Sequence, residues 1–222
     1  MWVKVCANTS LGDARMAAEA GADAVGFVFA EASRRRVTVE VVAGISRVMA
    51  AEFQAVERVG VFTAVDAEEI ARDARAAGLT GVQLHGGGGA ALARAVRAMA
   101  PELTVMAVVS WEIGLSGVEA RVREEMAALR GEGVERVLLD SKVGAEAGGT
   151  GVTFSWAEAV RALDGVRQGM QLVVAGGLRP ETVAEAVRVL GPWGVDVASG
   201  VEAEIGRKSL ERVRGFVRVA RG

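Results

Sequence analysis

Two loops near the end of the chain have the residue types that suit a phosphate-binding site. Each follows a short apolar run: Gly176 and Gly177 follow the first run, and Ser199 and Gly200 follow the second. A phosphate needs several backbone N–H groups converging on it without a Cβ in the way, which glycine allows. Glycines also make tight strand-to-helix turns, and a single loop would not separate the two interpretations. Two such loops in series favour a phosphate site.

A cysteine and an aspartate each follow a short apolar run and could form a base and acid pair. Cys6 follows the run that begins at Trp2, and Asp140 follows Val137-Leu-Leu. A thiol and a carboxyl that face each other across a small polar metabolite can exchange protons with it. Free cysteines are more often buried and inert, and a basic Cys6 would need a pKa below its ordinary value of about 8.5. Asp140 could instead cap a helix or brace a loop, but an Asp-Ser pair before a glycine-rich loop favours a functional carboxyl.

An arginine-rich loop and a single histidine complete the set of candidates. Arg34, Arg35 and Arg36 follow the second predicted strand, where a guanidinium can clamp a substrate carboxylate. Such a cluster is more commonly a solvated surface. His85 ends another apolar run, and either a structural or a substrate-binding role is compatible with its position.

Eight apolar runs, each followed by a helical pattern, supply the elements that would position these residues. The predicted strands are residues 2–6, 24–29, 57–62, 81–85, 103–109, 136–140, 172–175 and 195–197. The helix after the seventh strand is predicted over residues 180–190. Eight strand-helix units without a linker predict one α/β domain over residues 1–222, a (β/α)₈ TIM barrel. Functional groups in this fold lie at the C-terminal ends of the strands, where all the candidates above are found.

An open, doubly wound sheet is the alternative fold. Its dinucleotide-binding form carries a glycine-rich fingerprint directly after the first strand. The corresponding segment here, Cys6-Ala-Asn-Thr9, contains no glycine. The closed barrel is therefore the favoured prediction.

Composition narrows the function classes. The 222 residues are 51% hydrophobic and 24% charged with a formal net charge of −2, which gives no electrostatic reason to expect nucleic acid or an anionic membrane as partner. One cysteine and one histidine exclude an internal disulfide and make a Cys/His zinc site improbable. No apolar run approaches the roughly 18 residues of a membrane helix. We expect a cytoplasmic protein without metal or cofactor.

The sequence resembles the phosphoribosylanthranilate isomerase family of tryptophan biosynthesis. Any one shared motif is weak, but their order and spacing over nearly the whole chain are specific. The motifs are Lys4-Val-Cys6, Asp13-Ala14, Gly21-Ala-Asp23, Gly26-Phe27, Ser33 to Val37, Val82-Gln-Leu-His-Gly86, Leu139-Asp140, Gly148-Gly-Thr-Gly151 with Phe154 and Trp156, Ala175-Gly-Gly-Leu178, Gly194-Val-Asp196 and Ser199-Gly-Val-Glu202.

The resemblance implies an Amadori rearrangement of N-(5-phosphoribosyl)anthranilate, an aminoaldose, to the corresponding 1-deoxyribulose phosphate, an aminoketose. It implies that Asp140 is the general acid and Cys6 the general base, with no cofactor or metal. Arg35 would hold the anthranilate carboxylate, and the two terminal glycine loops would hold the phosphate. Asp196 would contact the substrate near the ribose or the amine.

The chain departs from the family pattern at several positions. Ala7 replaces the glycine usual after the catalytic cysteine, Glu31 and Arg34 replace prolines, and Gly86 is followed by three more glycines instead of acidic residues. Ser209 stands where an aspartate usually follows lysine. No proposed catalytic group is lost, but Ala7 adds a methyl beside the base and could shift its backbone.

Three other functions remain open. A ribulose-phosphate epimerase on the same fold would favour several histidines as metal ligands, and His85 is the only one. Indoleglycerol-phosphate synthase would be expected to carry lysine and glutamate at strand ends. A non-catalytic phosphate-metabolite binder is the third, against which the retention of both Cys6 and Asp140 argues. The small phosphorylated substrate is the expected partner, and the chain is expected to be a monomer or a homodimer.

Overall fold

A computed structural model describes residues 1–143, 146–147 and 153–222. The strands are β1 (Trp2–Val5), β2 (Ala24–Val28), β3 (Glu57–Phe62), β4 (Gly81–Leu84), β5 (Thr104–Glu112), β6 (Arg136–Val143), β7 (Glu146–Ala147), β8 (Gln171–Val174), β9 (Gly194–Val197), β10 (Glu202–Glu204) and β11 (Arg207–Lys208). The helices are α1 (Leu11–Glu19), α2 (Val39–Glu52), α3 (Ala67–Ala76), α4 (Gly89–Met99), α5 (Val118–Gly131), α6 (Trp156–Leu163), α7 (Val183–Leu190) and α8 (Leu210–Arg221).

Eight parallel strands close into a barrel. The order runs from β1 through β6 to β8 and β9, and β9 pairs in parallel with β1 from Trp2↔Gly194 to Val5↔Val197. β7 pairs antiparallel with the end of β6, and β10 with β11 forms a hairpin after the last barrel strand. The predicted (β/α)₈ barrel is confirmed. The assignment of residues 1–222 to one domain stays a prediction.

Three predicted boundaries were wrong by three residues each, and several others by one residue. β5 and β6 run on to Glu112 and Val143 because they pair with each other beyond their apolar segments, from Met106↔Arg136 to Glu112↔Lys142. Asp140 therefore lies inside β6 and not at its end. Helix α7 begins at Val183 and not at residue 180, since Thr182 occupies its N-cap position.

The strand alternation separates two hydrophobic layers, one outside the barrel and one inside. One set of side chains packs against the helices, as Val3, Val5 and Phe27 do. The alternate set fills the barrel interior with an apolar layer made of Trp2, Ala24, Val59, Met106, Leu138, Val173 and Ala175. Polar inward positions are left for the two ends of the barrel.

At the N-terminal end of the barrel one arginine lies against two stacked tryptophans, whose ring centroids are 5.2 Å apart. The guanidinium carbon of Arg136 lies 4.9 Å from the ring centroid of Trp2 and 4.7 Å from that of Trp193. Its Nη1 donates to Glu57 Oε2 at 2.6 Å and its Nε to Gln171 Oε1 at 3.1 Å. This cluster has no contact with the predicted site and is structural. No α-helix in the described part of the chain combines the length and apolar character needed to cross a membrane.

Candidate active site

Cys6 lies at the C-terminal end of β1 and is buried. Its N–H donates to Val197 O at 2.7 Å, which ties it to the end of β9. The space beside the thiol depends on Gly26 of β2, since a Cβ at that position would lie 2.6 Å from Cys6 Sγ. The family-like Gly26 motif thus makes room for the thiol at the barrel mouth.

Ala7 has a left-handed backbone with φ of +60°, and it is the one non-glycine residue with positive φ among residues 1–143, 146–147 and 153–222. Glycine adopts this conformation freely, whereas a residue with a Cβ is strained there. Ala7 therefore keeps the backbone conformation that glycine would have at this position. Its methyl group makes that conformation strained, directly beside Cys6.

The charges around Cys6 act in opposite directions. Burial raises the pKa of the Cys6 thiol, while the Lys4 ammonium, which hydrogen-bonds it, and the Lys208 ammonium lower it. Burial is the largest effect, so the pKa is above its ordinary value. The lowered pKa expected of a base from the sequence is not present in this structure, although two cations that would stabilise a thiolate are in place.

A buried lysine connects both sides of the mouth. Lys4 Nζ donates to Gln83 Oε1 at 2.8 Å and to Asp196 Oδ2 at 3.0 Å, and its side chain has no exposed surface. Burial lowers the pKa of Lys4, but the Asp196 carboxylate and the Cys6 thiol more than offset this and raise it. Sequence reasoning missed Lys4 and Gln83 as site residues. The available signal was a polar side chain at an inward position of an apolar strand.

Asp140 is buried at the same mouth, and its surroundings favour the protonated carboxyl that a general acid needs. Burial and the nearby Asp196 carboxylate raise the pKa of Asp140 to about 7, against the lowering effects of the Ser141 N–H and of Lys4. A carboxyl with this pKa is substantially protonated near neutral pH and can donate a proton.

His85 faces Asp140 across the mouth. Its Nε2 lies 3.8 Å from Asp140 Oδ2, and its Nδ1 lies 3.4 Å from Gln83 Nε2. Burial and the Lys4 charge lower the pKa of His85, while Asp196 acts against them. The imidazole is therefore neutral at pH 7.

The structure gives Arg35 a protein carboxylate as partner. Its Nε and Nη2 each donate to Glu202 at 2.7 Å, and Glu202 also accepts from Lys208 Nζ at 3.4 Å and from the Gly206 N–H at 3.3 Å. Its Nη1 makes no hydrogen bond to any described residue. Of the neighbouring arginines, Arg36 lies 3.7 Å from the exposed Glu31 at the surface. Glu202 was in the Ser-Gly-Val-Glu motif, but its contact with Arg35 was not predicted.

The two glycine loops pack against each other beside this site. Gly176 and Gly177 follow β8 with φ of +84° and +66°. Ser199 and Gly200 follow β9 in a short 3₁₀ helix, and a Cβ on Gly200 would lie 1.9 Å from Leu178 O. The loops can approach this closely only because that position is glycine.

The predicted residues thus divide into three neighbouring groups. Cys6, His85, Asp140 and Asp196 surround Lys4, Arg35 belongs to the Glu202 cluster, and the glycine loops follow the last two barrel strands. The motif Gly148–Gly151 lies outside the described residues. Among those that are described, no three His, Cys, Asp or Glu side chains group so as to hold a metal ion.

The model of the family described as N-(5'phosphoribosyl)anthranilate (PRA) isomerase matches residues 3–219. The chain belongs to this family. A PRA isomerase from Geobacter sp. (strain M21) is 41% identical over 219 residues, which are 99% of this chain and 97% of that protein.

Solved PRA isomerase structures share the fold. The crystal structure of mutually generated monomers of the dimeric enzyme from Thermotoga maritima has 35% identity and a TM-score of 0.82, covering 100% of this chain and 99% of that chain. A PRA isomerase in complex with reduced 1-(o-carboxyphenylamino)-1-deoxyribulose 5-phosphate has 34% identity, a TM-score of 0.80 and the same coverage. The resemblance drawn from the motifs is confirmed.

Proposed function

We propose that this chain isomerises N-(5'-phosphoribosyl)anthranilate to 1-(2-carboxyphenylamino)-1-deoxyribulose 5-phosphate, with Asp140 as general acid and Cys6 as general base. One observation carries the assignment of roles: Asp140 is a buried carboxyl with a pKa of about 7 at the mouth where the Cys6 thiol also lies. Family membership over residues 3–219 supports the reaction, as does the relative in complex with a reduced 1-(o-carboxyphenylamino)-1-deoxyribulose 5-phosphate.

The reaction begins with ring opening. Asp140 gives its proton to the furanose ring oxygen, the bond from that oxygen to C1 breaks, and the nitrogen lone pair forms a C1=N double bond. Cys6, as thiolate, then removes the proton from C2 to give an enolamine, and return of a proton to C1 with loss of one from the C2 hydroxyl gives the ketone. C1 is reduced and C2 oxidised within one molecule, so the balance needs no external oxidant or reductant.

The cations at the mouth support the base in this proposal. The Cys6 thiolate forms beside Lys4 and Lys208, whose charges favour the ionised thiol. A thiolate needs such partners because burial disfavours its charge.

The remaining groups bind and orient the substrate. Arg35 directs its free Nη1 edge to the anthranilate carboxylate while Glu202 holds its other edge. The loops of Gly176, Gly177, Ser199 and Gly200 receive the phosphate. His85 contacts the substrate near Asp140. The buried Oδ1 of Asp196, which has no hydrogen-bond partner among the described residues, accepts from a ribose hydroxyl or the amine of the substrate.

The proposal includes a small phosphorylated molecule as the partner, a cytoplasmic location, no cofactor and either a monomer or a homodimer. The Thermotoga maritima relative is dimeric and has also been obtained as monomers, so both states are compatible with this fold.

Loss of anthranilate fluorescence on mixing the protein with freshly formed N-(5'-phosphoribosyl)anthranilate tests the function. We expect rapid decay with the parent protein and a rate at least about 10²-fold lower with Asp140→Asn, the scale of general acid catalysis. A folded parent protein without activity would contradict the proposal and leave the phosphate-metabolite binder as the better reading.

A further inference from the structure

A line of polar side chains inside the barrel connects Lys4 with Asp140. Lys4 Nζ donates to Gln83 Oε1 at 2.8 Å, and Gln83 Nε2 lies 3.4 Å from His85 Nδ1. On its other side, His85 Nε2 faces Asp140 Oδ2 at 3.8 Å. Gln83 is buried, with 3% of its surface exposed, and Lys4 and His85 are the hydrogen-bond partners of its side chain among the described residues.

The hydrogen bond from Lys4 to Gln83 determines which atoms donate and which accept in the contacts of Gln83 and His85. An ammonium group can only donate, so the atom of Gln83 that contacts Lys4 must be its carbonyl oxygen. The amide –NH₂ of Gln83 is therefore turned toward His85, and because it can only donate, Nδ1 of a neutral imidazole must accept. The ring proton is then left on Nε2, the nitrogen that faces Asp140.

We propose that Gln83 is a positioning residue that holds His85 in its Nε2–H tautomer and so aims an N–H donor at the Asp140 carboxyl. At 3.8 Å the Nε2–Oδ2 contact is longer than a hydrogen bond, and catalytic hydrogen bonds of this kind commonly shorten when substrate is bound. The inference rests on the proposed function only for its kinetic consequence.

The orientation matters at the moment Asp140 gives up its proton. The carboxylate that remains faces the Asp196 carboxylate and the Lys4 ammonium, and it accepts from the Ser141 N–H. An Nε2–H donor adds stabilisation to this new charge. In the opposite tautomer, the Nε2 lone pair would accept the proton of Asp140 and hold it away from the furanose oxygen.

The variant Gln83→Glu reverses the chemistry without changing the size of the side chain. A carboxylate still accepts from Lys4, but it cannot donate to Nδ1 and instead favours a proton there. Gln171→Glu is the matched control, because it makes the same change at the opposite end of the barrel, where Gln171 accepts from Arg136.

Nitrogen-15 NMR of the histidine ring reads the tautomer directly. His85 is the only histidine in the chain, so every ring signal belongs to it. At pH 7 without substrate we expect the Nε2–H form in the parent and in Gln171→Glu, and the Nδ1–H form in Gln83→Glu. An Nδ1–H form or an imidazolium in the parent would overturn the proposal even if the variant did not fold.

Steady-state kinetics then test the positioning role. We expect kcat of Gln83→Glu to fall about 10²-fold, with KM within about threefold of the parent value and the alkaline limb of the kcat/KM profile moved to higher pH. A tautomer that does not move in Gln83→Glu, or one that moves while kcat stays within twofold, would overturn the proposal. A parent protein without isomerase activity would contradict the proposed function. The NMR experiment needs no substrate, so it would still decide the tautomer of His85.

Discussion

The guanidinium of Arg35 and the carboxylate of Glu202 are joined edge to edge by two hydrogen bonds of 2.7 Å, across 167 positions of sequence. Both side chains are largely buried, with 18% and 5% of their surfaces exposed. The pair ties the loop after β2 to the hairpin after β9. Arg35 is therefore already oriented by the protein and need not be ordered by its ligand.

Loss of the charge on Glu202 should weaken substrate binding and stability together. Glu202→Gln keeps the shape but loses the ion pair, and we expect KM to rise severalfold, kcat to change less than twofold and the free energy of unfolding at pH 7 to fall by about 1–3 kcal/mol. Glu52→Gln, which removes an exposed partner of Arg15, is the control and should change little. Equal effects of the two variants would contradict the prediction.

The stability loss in Glu202→Gln should depend on pH. Burial raises the pKa of Glu202, but Arg35 and Lys208 outweigh it and the folded-state pKa is below the ordinary value of 4.5. The ionised form thus adds stability above about pH 4.5, and this contribution is lost as the pH falls through the folded-state pKa. Urea titrations at pH 7 and at pH 3 should show the gap between parent and variant narrowing at the lower pH.

Replacement of the proposed acid should stabilise the protein at alkaline pH. The folded-state pKa of Asp140 is about 7 against an ordinary value of 3.8, so its contribution to stability is present below pH 3.8 and is lost as the pH rises through 7. Above pH 7 the buried Asp140 carboxylate destabilises the folded state, and Asp140→Asn removes that charge. We expect the free energy of unfolding of the variant at pH 8 to exceed that of the parent by about 1–3 kcal/mol. The difference should shrink toward pH 4. If Asp140→Asn were less stable than the parent at pH 8, the ionised Asp140 carboxylate would not be destabilising the folded state.

Ala7→Gly should relieve backbone strain next to Cys6. At φ of +60° the alanine methyl costs about 1 kcal/mol, and glycine removes that cost at the expense of a more flexible unfolded chain, so we expect a net gain of up to about 1 kcal/mol in urea denaturation. Ala128→Gly, at an exposed position of α5, should instead lose about 1 kcal/mol. Similar losses in both would argue against strain at Ala7.

Arg136, which lies against the stacked Trp2 and Trp193 rings, should matter for stability and not for activity. Arg136→Met removes the ion pair with Glu57 and both ring contacts, and we expect the free energy of unfolding to fall by about 2–3 kcal/mol while kcat stays within about twofold. Arg94→Met, which removes an exposed contact with Glu132, should barely alter either quantity. A large loss of kcat in Arg136→Met at a temperature where it is folded would be inconsistent with this role.

Gly200→Ala should disturb the proposed phosphate loops. The new Cβ would collide with Leu178 O, so the two loops must separate, and we expect KM to rise at least about tenfold with a smaller change in kcat. Inhibition by inorganic phosphate should weaken in parallel. Gly44→Ala is the control: Gly44 lies in α2, where a new Cβ would have no heavy atom within 4 Å apart from its chain neighbours and the backbone of its own helix, and the variant should keep the parent KM. An unchanged KM in Gly200→Ala would remove these loops from the phosphate site.

Much of this architecture could be predicted from local pattern. β3 (Glu57–Phe62) matches its predicted range, and it pairs with β2 from Ala24↔Glu57 to Val28↔Val61. The C-terminal ends of strands also pointed to Cys6, His85 and Asp140 as neighbours at one mouth. The later ends of β5 and β6 could not be predicted, since the pairing of Ser110, Trp111 and Glu112 with residues 140–142 depends on the register between the two strands.

The contacts within the site were less accessible to sequence reasoning. Lys4 and Gln83 are 79 positions apart, and their hydrogen bond follows from barrel closure and strand register. The Arg35 and Glu202 pair likewise depends on two distant loops meeting. A sequence pattern can place a residue at a strand end, but it does not tell which charge that residue will face, and the charge decides its protonation state.

The apolar layer in the middle of the barrel, which includes Met106 and Leu138, lies between the arginine cluster at one end and the lysine network at the other. The two polar groups share no partner among the described residues. Free-energy changes at the two ends should therefore add, as they do for independent sites. The chain can in consequence accumulate changes that retune substrate choice at one end while changes at the other restore the stability lost, and the barrel is to this extent modular in evolution.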